Sequence, residues 1–134
     1  MSITIALTDQ DKSILRTAAY GAVSLLAAAG APHKAVTHAS IVLTSATGLV
    51  GHVLAAKSRD IHLQGKSVAE LADRVLPSLT AAMGVLGERC PGEVDNFRDT
   101  VLVAVEAATG PGKGEPSPAV AVMARKIAAA LDAA

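Results

Sequence analysis

The sequence predicts an all-α fold, a single-domain bundle of about five helices, and three observations lead there. Apolar residues recur at spacings of three and four over long blocks. Those blocks are bounded by helix start and stop residues: Thr8, Gly30, the Ser67-Val68-Ala69-Glu70 capping box and the Ser117-Pro118 pair. Alanine is the commonest residue, while the 134 residues hold one Phe, one Tyr and no Trp. A core of Ala, Val, Leu and Ile favours closely spaced helices.

Residues 1–7 alternate, with Ile3, Ile5 and Leu7 on one side, which reads as a short strand or an extended arm. Thr8 then caps a helix over 9–29. Asp9 and Asp11 occupy its first turn, where the helix dipole favours negative charge. Leu15, Ala18, Ala22, Leu25 and Ala29 form its apolar stripe, and Gly30 and Pro32 end it.

A second helix is expected over 32–57. Between Ala35 and Ala56 there is no Asp, Glu, Lys or Arg. A helix with no charged face has no evident side for water. It therefore reads as the central helix of the bundle, or as a membrane span. The hydroxyls, His38, His52, Gly48 and Gly51 within it, and the lack of flanking Trp or Tyr, favour the central soluble reading. Glycine inside a helix costs about 1 kcal/mol against alanine, so Gly48 and Gly51 require a packing reason.

Residues 58–66 read as a loop, with 60–64 extended enough to pair with 3–7. The Ser67 box opens a third helix along Val68, Leu71, Val75, Leu79, Met83 and Leu86. Pro77 inside it predicts a kink or a break into two helices. Pro91 opens a fourth, whose apolar seam is Val94, Phe97, Val101, Ala104 and Ala108. The Gly- and Pro-rich 110–116 stretch is a flexible connector. Ser117 and Pro118 start a fifth helix, with Val120, Met123, Ile127 and Leu131 inward.

Composition excludes several classes. Twelve basic and twelve acidic residues give a formal charge of zero. No basic face for nucleic acid is evident. Low charge and high apolar content exclude disorder. One cysteine excludes an internal disulfide framework and a Cys-rich zinc site. The N-terminus lacks the basic region and long apolar run of a secretory signal, so a cytoplasmic protein is expected. The alanine bias points to a high-GC bacterial genome.

The candidate ligand-binding residues are His38, Ser45, His52 and Tyr20. The first three are spaced by seven, which on one helix sets them on a stripe about 10 Å apart. The stripe could line a polar pocket. His38 and His52, about 21 Å apart on such a helix, cannot share one metal ion. Buried or half-buried histidines satisfied by a neighbouring hydroxyl or carbonyl are the preferred explanation of the spacing. Tyr20, with Phe97 one of two aromatics, reads as a core plug or a ligand contact. Gly65-Lys66-Ser67 lacks the upstream glycine of a phosphate loop, since Asp60 stands there. Asp95, Asp99 and Glu106 read as a solvated face, and Cys90 as a helix-end residue. No catalytic residue, metal site or cofactor is predicted.

The leading expectation is a non-enzymatic helical protein acting through self-association, as a homodimer or higher oligomer, or through a protein partner. The first alternative is a small-molecule-binding bundle with its pocket near His38, Ser45, His52 and Tyr20, with or without an enzymatic step. The second is membrane association through the uncharged 35–56 segment.

Overall fold

The computed structural model describes residues 7–55, 67–109 and 117–133. They form an all-α bundle of six α-helices: α1 (Asp9–Ala29), α2 (His33–Thr44), α3 (Gly48–Ala55), α4 (Val68–Arg89), α5 (Val94–Thr109) and α6 (Pro118–Asp132). A one-turn 3-10 helix, Pro91–Glu93, leads into α5. The expected strand pairing of 3–7 with 60–64 and the 110–116 connector lie largely outside the described residues. Leu7 is described, and it is buried against the core.

The cap chemistry acts where the sequence places it. Thr8 and Asp11 form a reciprocal box. The Asp11 N–H donates to Thr8 Oγ1 (3.0 Å) and the Thr8 N–H donates to the Asp11 carboxylate (3.0 Å). Two of the orphan donors at the start of α1 are thereby satisfied. Asp11 also takes an ion pair from Arg89 Nε at 3.0 Å, which ties the start of α1 to the last turn of α4. Gly30 ends α1 in the left-handed region at φ 119°. Ser67 and Ser117 accept the N–H groups of Glu70 and Val120 at the starts of α4 and α6.

The central helix is α1, not the 32–57 segment. It packs against all five of the other α-helices. Leu15, Ala18, Ala19, Ala22, Val23, Leu25 and Leu26 are buried around most of its circumference. Alanine at three of these seven positions lets neighbours approach from several sides.

The 32–57 segment is two outer helices. Ser45, Ala46 and Thr47 separate α2 from α3, and Gly48 starts α3 with φ +73°. Thr44, Ser45, Thr47 and Gly48 are poor helix formers in one short run, which is the local cause of the break. Within α2 only Ala39 and Leu43 are buried. The missing charges are replaced at the surface by hydroxyls, histidines and Ile41, so an uncharged sequence did not mean a buried helix.

α4 runs through Pro77 as a single helix. The proline is exposed, so the ring sits on the solvent side, where water can serve the carbonyl that loses its helical donor. Thr80 Oγ1 donates to the Ala130 carbonyl at 2.7 Å, and Arg98 pairs with Asp132 at 2.6 Å. These contacts hold α6 against α4 and α5. The buried apolar side chains of all six helices form one cluster, with Phe97 its largest fully buried member.

Candidate functional site

α3 has only eight residues, too few to persist alone. Side chains from distant parts of the chain complete it at both ends. At its start, Glu93 Oε1 accepts the Val50 N–H at 3.2 Å, and Asn96 Nδ2 donates to the Thr47 carbonyl at 2.9 Å. At its end, Arg16 Nη1 donates to the Val53 carbonyl at 3.3 Å, and the Tyr20 hydroxyl donates to the Leu54 carbonyl at 2.5 Å. The carboxylate lies at the positive end of the helix dipole and the guanidinium at the negative end. Arg16 is buried, so this contact is a fixed part of the fold.

Both glycines of α3 now have their reasons. Gly48 adopts a backbone that L side chains rarely enter, and a Cβ there would lie 2.9 Å from Glu93 Oε1. Gly51 is buried, and a Cβ would fall closer than 3.0 Å to the Ala46 carbonyl oxygen. The chain closes tightly over Gly51 as it turns from α2 into α3.

This arrangement fixes where the predicted residues point. His38 is exposed on α2, Ser45 is exposed at the C-cap of α2, and His52 is exposed on α3. The break lies between Ser45 and His52, so the three do not share one straight helix. Tyr20 is half-buried behind α3, its hydroxyl engaged by Leu54. Burial pushes the Tyr20 phenol above its ordinary value of 10.0, and the nearby Arg16 charge opposes that in part. Tyr20 therefore supports α3 from inside while the two histidines face outward.

The outer surface of α2 and α3 is the most distinctive feature at this end of the molecule. Thr37, His38, Ile41, Thr44, Ser45, Gly48 and His52 are exposed on it, and the segment from Ala35 to Ala55 carries no charged side chain. Ile41 is 54% exposed, the most exposed large apolar residue among those described. The other outer helices put charges on their solvent faces: Glu70, Asp73 and Arg74 on α4, Asp95, Asp99 and Glu106 on α5, Arg125 and Lys126 on α6. A separate groove of about 550 Å³ lies between α1 and α4, and none of the four predicted residues lines it.

Arg16, Glu93 and Asn96 escaped the sequence reading. A lone arginine inside the apolar stretch of α1 was a usable signal for Arg16. Glu93 and Asn96 act on a segment more than forty residues away, and no local pattern announces that. Among the described residues, no three His, Cys, Asp or Glu side chains gather as a metal centre requires. No described helix is long and apolar enough to cross a membrane. Comparison with known proteins identifies no relative: no family model, curated protein or solved structure matches the chain.

Proposed function

We propose that this protein is a non-enzymatic helical module that associates with a second copy of itself through the outer face of α2 and α3. The observation that carries this reading is the exposure of a long uncharged segment centred on Ile41, on a protein whose other outer helices all carry charge. Depletion of charge around an apolar centre is the composition of an interface core. An uncharged face also meets its own copy without repulsion, as a two-fold contact requires. The acidic outer side of α5, with Asp95, Asp99 and Glu106, would repel its own copy in the same position.

The clamps on α3 support the reading. Glu93, Asn96, Arg16 and Tyr20 hold the face rigid before any partner arrives, which lowers the ordering cost of association. The uncharged face runs along α2 from Ala35 to Thr44 and along the 8 residues of α3. At 1.5 Å per residue these two pieces are about 15 Å and about 12 Å long, each roughly 10 Å wide. Together they are smaller than the roughly 800 Å² per partner of a standard interface, so a dimer in the micromolar range is expected.

The test is light scattering coupled to size exclusion on wild type and on Ile41→Glu. Wild type should rise from 13.4 kDa toward twice that mass as concentration increases. Ile41→Glu, a change at an exposed position, should remain at the monomer mass. A wild type that stays monomeric at every concentration, or a variant that dimerises as well as wild type, overturns the proposal.

A further inference from the structure

The α2–α3 face is uncharged at neutral pH, and it carries the means of becoming charged. His38 and His52 are the only ionisable side chains from Ala35 to Ala55, and both are exposed. Histidine is the side chain whose ordinary charge change falls between pH 5 and 8. On the same segment, His33 and Lys34 stand at the start of α2, and Lys34 keeps its positive charge across that range. The elements packed against α2 and α3 are α1, α5 and the 3-10 helix. Their central charges are engaged elsewhere. Arg16 of α1 donates to the Val53 carbonyl, and Glu93 of the 3-10 helix accepts the Val50 N–H. Asp11 of α1 pairs with Arg89, and Arg98 of α5 pairs with Asp132. The Tyr20 hydroxyl is held by the Leu54 carbonyl. Asp9 and Lys12 stand at the start of α1, and Asp95, Asp99 and Glu106 are exposed on α5. Among the described residues, no carboxylate pairs with either histidine.

We propose that His38 and His52 make self-association pH-dependent, so that the dimer formed through α2 and α3 dissociates on acidification. This inference rests on the self-association reading above. At neutral pH two uncharged faces meet. Protonation puts two positive charges on each face, and the two-fold relation sets them against their own copies. Taking each imidazolium out of water adds to the cost of contact. Association therefore favours the neutral imidazoles. By linkage the dimer is strongest above the range in which histidine titrates, and that strength is lost as pH falls through it. Nothing comparable acts on the other outer helices, whose solvent faces carry charges at neutral pH already.

The test is the dimer dissociation constant of the full chain, from light scattering coupled to size exclusion, at about pH 7.5 and about pH 5.5. Wild type is compared with the double variant His38→Gln, His52→Gln, two changes at exposed positions. Far-UV circular dichroism checks that the helices persist at both pH values. Wild-type dissociation should strengthen about tenfold or more on acidification, and that of the double variant by less than about threefold. A wild type that is monomeric at the higher pH overturns the self-association reading, and this inference with it. A wild type that dimerises there and holds as tightly at the lower pH overturns the pH dependence alone. So does a double variant that weakens as much as wild type, which would move the effect to His33 or beyond. A second measurement covers a double variant that no longer dimerises: NMR titration of the wild-type histidine ring protons in dilute and in concentrated protein. The His38 and His52 midpoints should be lower in the concentrated sample, and equal midpoints overturn the proposal.

Discussion

Replacing Gly51 by alanine should destabilise the fold, although alanine is the better helix former. The new Cβ would lie closer than 3.0 Å to the Ala46 carbonyl oxygen, a backbone atom that cannot rotate away. Relief requires the turn between α2 and α3 to open. Overpacking of a tight buried site costs about 1–3 kcal/mol. Opening the turn also weakens two bonds to the Thr47 carbonyl, from the Gly51 N–H at 3.1 Å and from Asn96 Nδ2 at 2.9 Å. Each such bond contributes about 1 kcal/mol. The propensity gain of about 1 kcal/mol offsets part of this, leaving a net loss of about 2–4 kcal/mol. Gly84→Ala is the matched control. Gly84 is exposed within α4, and no heavy atom lies within 4 Å of the site of its Cβ, so only the propensity gain remains. Urea unfolding followed by far-UV circular dichroism should show the Gly51→Ala midpoint lower by about 1–2 M and the Gly84→Ala midpoint slightly higher. A Gly51→Ala protein as stable as wild type would refute the tight turn and the clamped geometry built on it.

Other consequences can be checked on the same samples. Glu93→Ala removes the remote cap of α3 and should cost about 1–2 kcal/mol, with hydrogen exchange speeding up first at Val50 and its neighbours. Thr8→Ala breaks the box at the start of α1 and should cost about 1 kcal/mol in the same unfolding assay. Tyr20 is the only tyrosine, so tyrosinate absorbance reports on it alone. Its titration in the folded protein should lie above 10.0, the value it should regain on unfolding. Because the folded form holds its proton more firmly, the stability linked to Tyr20 is complete below pH 10.0 and is lost as pH rises through the folded-state pKa. A native midpoint at or below that of the unfolded chain would contradict its burial behind α3.

The reach of the sequence differed from element to element for physical reasons. The limits of α1 were legible because Thr8 and Gly30 act on their own neighbours. The starts of α4 and α6 were legible for the same reason, through Ser67 and Ser117. The division of 32–57 into α2 and α3 was hidden, although Thr44, Ser45, Thr47 and Gly48 form a weak helical run. Lack of charge outweighed that run, because charge is the usual marker of a solvent face. Here Thr37, His38 and Ile41 are exposed without it. The central role of α1 was masked by its first two turns, where Asp9, Asp11 and Lys12 suggest an outer helix. Pro77 marks a lost hydrogen bond correctly, but an exposed position lets solvent take up that loss without ending α4. His38, Ser45 and His52 were visible as a spacing. Their outward direction depends on the break, and the break depends on Glu93 and Asn96 from another part of the chain.

The most direct test of the central claim is an amide NMR dilution series on wild-type protein. Self-association through the α2–α3 face predicts concentration-dependent shifts at Thr37, His38, Ile41, Ser45 and His52, with the outer faces of α4 and α6 unchanged. Spectra that do not vary with concentration would contradict the claim, as would shifts confined to α4 or α6.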